Sequence, residues 1–382
     1  MTTTISRIEE GLVAGKFVFD SPCYIYDPEQ LRNNINALEE STGTPVILSV
    51  KANPGTDLNL RLTDRNAGVE VASLNELNLV ANSEKIYINN PSMDKNLMRA
   101  GIAAKAFFII DSPQQLQQLI ALSGNRPLQP VILRCNVGVV AALVPDAPAI
   151  RKDHFGMDLV SLLETAHFIR NHEKVQLKGF HLFGGSHTFH RFANVIAEAA
   201  LALLPHIEAA YGGAIELINL GGGFSEQWWE HQSLFPAYRE WLARFPAHIS
   251  LVHEAGRAAF SSCGVFMTTV VATKRIADQH YAICNGGMNQ SFLLCQTENS
   301  FRKMRQPYRV RLNDRLQPDV DSNQKTILVG STCSRDDVIG HYAGEDIQPG
   351  DILLFDYCGA YYSTYTVNRF LGLKEAAQYV FS

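Results

Sequence analysis

The sequence predicts an α/β protein: a (β/α)8 barrel of the TIM type followed by an all-β domain. Three observations carry this expectation. Eight short β-branched or apolar runs recur through the first two-thirds of the 382 residues, each is followed by a stretch long enough for a helix, and after about residue 256 the pattern turns to β segments broken by turns. An open doubly wound sheet is the alternative that strand–helix alternation leaves open.

In chain order the runs are 45–50 (PVILSV), 68–72 (GVEVA), 86–89 (IYIN), 106–110 (AFFII), 131–135 (VILRC), 177–183 (LKGFHLF), 215–220 (IELINL) and 249–254 (ISLVHE). Helix-like segments include 28–40, 74–82, 113–122, 158–171 and 190–210. The second part reads GVFMTTVVATKR, HYAICNGG, YRVRL, TILVG and DILLF, with little helical periodicity until KEAAQ. These patterns place a barrel over residues 21–256 and a β-rich domain over 257–382, joined by residues 1–20.

Composition narrows the function. With 46% hydrophobic and 19% charged residues the chain folds into a globular core. Its 33 basic residues against 38 acidic ones give a net charge of −5, and no dense Lys/Arg run tracks a phosphate backbone, so no nucleic-acid partner is expected. The opening MTTTISRIEEGLVAG has no basic segment followed by an apolar one, and no window reaches ~18 apolar residues. Neither a signal peptide nor a membrane span is expected, and the predicted location is the cytoplasm. Seven widely spaced Cys without a CxxC pair argue against a disulfide framework and against a zinc site.

Barrel chemistry collects just past the C-terminal ends of the strands. There the sequence presents Lys51, Glu70, Arg134, His181, Phe183, Gly185, Ser186, Gly221, Gly222, Gly223, Glu254, Gly256 and Arg257. Lys51 ends an apolar strand, so its amine would face the mouth. A desolvated lysine amine readily loses its proton and forms Schiff bases, which suits it to anchor pyridoxal phosphate; a lysine snorkelling to solvent is the alternative. The glycines of INLGGGF suit the approach of backbone N–H groups to a phosphate, with the Ser186 hydroxyl and the Arg257 guanidinium in reach of the same group. Glu254, in HEAGR, suits a carboxylate facing a pyridine nitrogen.

Lys51 in SVKANP, Glu70 to Ser73 with Glu76, Arg134 in LRCNVG, His154 to Met157, the GGGF loop, Glu254 to Arg257, Cys333 in GSTCSRDD and Tyr361 in CGAYY together resemble one family. It is that of the pyridoxal-phosphate decarboxylases related to ornithine, arginine and diaminopimelate decarboxylase, over nearly the whole chain. The resemblance implies an alanine racemase-like fold, pyridoxal 5'-phosphate as cofactor and Lys51 as the Schiff base. It further implies Glu254 on the ring nitrogen, and Ser186, Gly221 to Gly223, Arg257 and Tyr361 around the phosphate. It implies a homodimer whose sites are shared between chains, with Cys333 entering the partner's site as proton donor.

The chain also departs from the family pattern. Phe183 stands where relatives stack a histidine on the cofactor, which keeps an aromatic face and loses a protonatable edge. Ser334 and then Arg335 follow Cys333 where an acidic residue usually grips a distal amine; Asp336 and Asp337 remain nearby, and a register shift would restore an acidic contact. After Gly286 to Asn289 the chain reads Gln-Ser-Phe-Leu-Leu in place of the Arg-Pro that meets a distal carboxylate. An acylated amino acid, citrate-linked or carrier-linked, therefore suits the chain better than free ornithine, lysine or diaminopimelate. His187 and His190 are expected in the substrate pocket wall with Ser334, Arg335 and Asp336, and not on a metal. The pattern at 181–186 resembles the family's siderophore and antibiotic-biosynthesis branch. Glu254 disfavours a racemase on the same fold, and the intact Lys51, Glu254 and Cys333 disfavour a non-catalytic regulator.

Overall fold

The computed structural model describes residues 4–55, 67–124, 128–295, 306–312 and 324–380. Two compact units divide the chain, one of residues 34–258 and one of residues 1–33 with 259–382.

The strands in chain order are β1 (Cys23–Tyr26), β2 (Val46–Ser49), β3 (Val69–Val71), β4 (Ile86–Asn89), β5 (Phe107–Ile110), β6 (Gln129–Cys135), β7 (Val175–Leu182), β8 (Leu217–Asn219) and β9 (Ser250–Ala255). They continue with β10 (Gly264–Ile276), β11 (Gln279–Cys284), β12 (Tyr308–Val310), β13 (Lys325–Val329), β14 (Val338–Ala343), β15 (Ile352–Phe355) and β16 (Ala377–Val380).

Strands β2 to β9 close into a parallel barrel, each pairing with the next and β9 returning to β2. The eight runs of the sequence are these eight strands. Helices follow where the sequence supplies caps. Ser73, Asp94, Ser112 and Asp158 each accept a backbone N–H at the start of Leu74–Leu79, Lys95–Ala103, Pro113–Ser123 and Leu159–Arg170. Among the described residues one helix, Phe189–Tyr211, is long and apolar enough to cross a bilayer. Its residues Phe192, Ile196, Ala200, Leu203 and Ile207 are instead buried at helical spacing, the pattern of a helix packed on a core.

The barrel interior is built in layers by the two-residue period of its strands. Ile47, Tyr87, Ile109, Ile132, Leu217 and Val252 form one apolar cluster. Two residues further along five of these strands lie Asn89, Asp111, Arg134, Asn219 and Glu254, all buried. A polar layer thus stands on an apolar floor, at the end of the barrel from which Lys51 emerges.

In the other unit, β10 is the long central strand, pairing with β1, β11 and β15. The sheet runs β12-β15-β10-β11-β13-β14, and β1 adds β16 in parallel. Residues 21–33 group by contact with the β-rich unit, where the sequence places the barrel's start at 21. The reason is β1, whose Cys23 and Ile25 lie opposite Met267 and Val265 and join the apolar cluster of Ile5, Ile8, Leu12 and Leu354. A helix at Thr4–Val13, which the sequence reading did not assign, supplies Ile5, Ile8 and Leu12.

Candidate active site

Lys51 sits just beyond β2, in the single 3-10 turn Val50–Ala52, so its side chain leaves the strand end. Its Nζ donates to both Glu70 carboxylate oxygens at 2.7 Å. Glu70, on β3, is fully buried, whereas the Lys51 side chain is 40% exposed. The lysine is therefore tethered at one end of its reach and open to solvent. Glu76 plays a different part: it accepts from Ala72 N–H while the N-cap Ser73 accepts from Glu76 N–H, and together they fix the turn after β3.

Glu254 is reached through β9, in register with Ile47 of β2. Its Oε1 accepts from Asn219 Nδ2 at 2.8 Å and lies 3.3 Å from His181 Nε2. Burial alone would raise its pKa; the interactions with His181, then Lys51 and the Asn219 amide, outweigh it and hold the carboxyl well below its usual range. Glu254 is thus an ionised carboxylate in the polar layer. His181 is completely buried beside it, and neither ring nitrogen makes a hydrogen bond. Glu254 at 3.3 Å is thus the charged neighbour of a buried imidazole that lacks a well-aligned hydrogen bond.

Three loops meet at this end of the barrel. A Cβ on Gly221 would lie 2.2 Å from Leu182 O, on Gly222 2.4 Å from Glu254 O, and on Gly223 2.4 Å from Gly185 O. Glycine is therefore required so that the loop after β8 can press against the ends of β7 and β9, and Gly221 and Gly223 have φ of 68° and 88°. Gly221 N–H is taken by Asn219 Oδ1 at 2.9 Å. Among the described residues no protein acceptor takes the N–H of Gly222 or Gly223. Ser186 is exposed beside them on the loop after β7. Arg257, directly after Gly256 at the end of β9, pairs with Glu226 at 3.2 Å.

Free N–H groups at the glycine loop, a nearby cation, an ionised carboxylate and a lysine at the end of the neighbouring strand β2 are the donor set that pyridoxal phosphate needs. The residues present fit that group. Arg134 does not take part directly: its Nη1 donates to Asp111 at 2.9 Å and its guanidinium lies 4.3 Å from the Phe155 ring centroid. Asp111 also accepts Gly156 N–H, so this pair shapes the His154 to Met157 turn.

Phe183 follows β7 half-buried, and His187 and His190 are exposed, so neither joins the buried His181. His190 stacks on His231 with ring centroids 4.4 Å apart. Partial burial, His231 and Arg191 lower its pKa. Asn219, Glu226 and His231 are the site neighbours that sequence reasoning missed. Only Asn219 left a signal, as a polar residue two places before the glycine run in a core strand.

The remaining expected residues belong to the other unit. Cys333 is exposed, while the six other cysteines are buried thiols. Ser334 is half-buried, Arg335 and Asp336 are exposed, and Asp336 N–H donates to Ser334 Oγ. Asp337 is buried and both its oxygens accept backbone N–H groups, from Met288 at 2.8 Å and Thr332 at 2.9 Å. It therefore does not supply the acidic contact that a register shift would restore. Leu293 and Leu294 are core residues of the short helix Phe292–Cys295. Tyr361 has a φ of 70°, and its loop is tied down by Cys358 N–H to Gly264 O and Gly359 N–H to Ser261 O.

The pyridoxal-binding-domain model of the pyridoxal-dependent decarboxylases matches residues 29–261. The chain is 24% identical over 93% of its length to the L-glutamyl-[BtrI acyl-carrier protein] decarboxylase of Niallia circulans, 87% of which is covered. It is also 24% identical to the 2-[(L-alanin-3-ylcarbamoyl)methyl]-2-hydroxybutanedioate decarboxylase of Staphylococcus aureus, with 88% of each chain covered. Among solved structures, the lysine decarboxylase of Selenomonas ruminantium superposes with a TM-score of 0.79 over 98% of this chain and 96% of its own, at 18% identity. With that match across most of its length, a closed barrel and a site that fits the cofactor, the chain belongs to the pyridoxal-dependent decarboxylases.

Proposed function

We propose that this decarboxylase removes the α-carboxylate of an amino acid whose side chain is already acylated, as a citrate or carrier-protein conjugate, in the biosynthesis of a siderophore or other secondary metabolite. The relatives whose names specify a carrier-linked glutamyl group and a carbamoylmethyl hydroxybutanedioate support this substrate class. So does the engagement of Asp337 by backbone N–H groups, which occupies the buried carboxylate of that loop.

In this reading the Lys51 amine would be the attachment point of pyridoxal phosphate. Glu254 would hold a proton at the ring nitrogen. The N–H groups of Gly222 and Gly223, with Ser186, Gly185, Gly256, Arg257 and Tyr361, would hold the phosphate, and Phe183 would offer its ring face to the cofactor. When bound, pyridoxal phosphate supplies the electron sink that takes up the charge left on Cα as carbon dioxide departs. Cys333 of the second subunit of a homodimer then returns a proton to Cα, and the seven free thiols suit a reducing cytoplasm. Arg335, His187 and His190 meet the carboxylate-rich end of the substrate, beside Ser334 and Asp336.

The single observation that carries the reading is that Lys51, at the end of β2, and an ionised Glu254, on the adjacent β9, stand at the same end of the barrel. Carbon dioxide release by the holoenzyme from a panel of free and acylated amino acids tests it. Release from none of them, or racemisation at Cα without release, overturns it.

A further inference from the structure

The loop that carries Cys333 is held by one side chain. Asp337 accepts Thr332 N–H through Oδ2 and Met288 N–H through Oδ1, and the Cys295 thiol donates to the same Oδ1 at 3.6 Å. Its own backbone closes the loop, with Gly330 N–H donating to Asp337 O at 2.9 Å and Asp337 N–H to Ser334 O at 3.3 Å. Ser334 N–H donates in turn to Thr332 Oγ1, so both neighbours of Cys333 are fixed.

The carboxylate is only 2% exposed, and room for it is made by glycine. A Cβ on Gly330 would lie 2.2 Å from Oδ1 and one on Gly287 2.3 Å from it. Burial and the adjacent carboxylate push the Cys295 thiol up, which keeps its proton available for donation. A buried carboxylate is retained at such cost only where fixed donors surround it. Here those donors come from two loops: Gly286 to Asn289, and Gly330 to Ser334.

We propose that Asp337 is a positioning residue, which stitches the Gly286–Asn289 loop to the Gly330–Ser334 loop and thereby sets where the Cys333 thiol stands. The inference deepens the reading above and rests on Cys333 as proton donor. Asp337→Asn keeps the shape but offers one carbonyl oxygen to two N–H donors and points an amide at one of them. Gly330→Ala perturbs the same carboxylate from the loop side, which separates loss of the stitch from loss of charge.

The experiment is hydrogen exchange by mass spectrometry on the holoenzyme, with steady-state kinetics on a turned-over substrate. In both variants the segments around Met288 and Thr332, 44 positions apart, should exchange faster together, by at least about tenfold, while barrel segments and cofactor absorbance keep their wild-type behaviour. kcat should fall by at least about tenfold with KM changed by less than about threefold, because a misplaced proton donor acts on the transition state and not on binding. Exchange unchanged in either loop, or kcat within about twofold of wild type, overturns the proposal. A Cys333→Ala control separates the two levels. Wild-type turnover in that variant overturns the proton-donor reading and the inference with it, whereas an impaired Cys333→Ala beside an unimpaired Asp337→Asn overturns the inference alone.

Discussion

Lys51 Nζ is 2.7 Å from both oxygens of Glu70, and that symmetric ion pair sets the resting position of the one amine at the mouth of the barrel strands described. The pair holds the amine at the barrel mouth, at the end of the strand next to the one that carries Glu254. Replacing Lys51 by Ala removes the only group there able to hold an aldehyde carbon. We expect the visible absorption of bound pyridoxal phosphate to be lost and turnover to fall by at least about a thousandfold. A Lys51→Ala enzyme with the wild-type spectrum would move the attachment point elsewhere.

Glu254 offers a different test, because it acts on charge and not on attachment. Its carboxyl is held below its usual range, so it stays ionised throughout the pH range of an assay and produces no acid limb of its own. Glu254→Gln should therefore bind cofactor normally and lose about a hundredfold or more in kcat, the scale of one electrostatic contact made mainly in the transition state. Cofactor titration followed by single-turnover kinetics on the variant measures both, and retained kcat means the ring nitrogen faces another group.

The barrel itself carries a pH signature. His253 lies on the outer side of β9, with Nδ1 2.6 Å from Thr44 Oγ1 and Nε2 2.7 Å from Tyr238 OH, and burial lowers its pKa to about 3. A depressed pKa means the unfolded chain binds the proton first. The stabilisation is whole above about pH 6.5, the ordinary histidine value, and is lost progressively as pH falls from there toward 3, at about 1.4 kcal/mol per unit. Denaturant midpoints between pH 7 and 4.5 should fall more steeply for wild type than for His253→Gln. Parallel slopes would show that the ring is not held neutral.

Much of this was legible because barrel strands announce themselves twice, by a short apolar run and by the polar residue that ends it. Ile132 and Arg134, or Val252 and Glu254, show the floor and the polar layer within one strand. What stayed hidden depends on contacts distant in sequence. Asn219 reads as an odd polar residue until Glu254, 35 positions on, accepts its amide. Asp337 reads as one of two surface acids, and only the folding of Met288 against it, 49 positions earlier, buries it. The place of β1 was hidden for the same reason: CYIY looks like any apolar run, and its pairing partner is residues 264–267.

The shared site is tested by mixing. Lys51→Ala and Cys333→Ala subunits are each expected to be inactive, and hybrid dimers should contain one intact site if the two residues meet across chains. Activity should return toward about a quarter of wild type at equal mixing, since half of the dimers are hybrid and each has one competent site of two. Native mass spectrometry verifies exchange. Exchanged subunits with no recovered activity would mean that lysine and cysteine act within one chain.

The last prediction concerns the far end of the substrate and follows from how three family positions are filled. Leu293 and Leu294 are buried in a short helix, Asp337 is spent on two backbone N–H groups, and Ser334 carries no charge. A free ammonium or carboxylate directed at Leu293, Leu294 or Ser334 meets no charged side chain at those positions, and an unpaired buried charge costs several kcal/mol. An acylated side chain removes that charge and carries its carboxylates outward, where Arg335, His187 and His190 are exposed. We therefore expect kcat/KM for a citrate-linked or otherwise acylated amino acid to exceed that for ornithine, lysine and diaminopimelate by at least about a hundredfold, equal to about 2.7 kcal/mol of transition-state discrimination. Arg335→Ala should narrow this ratio by raising KM for the conjugate alone. Comparable efficiency on free lysine or ornithine would overturn the acylated-substrate reading and leave the decarboxylase standing.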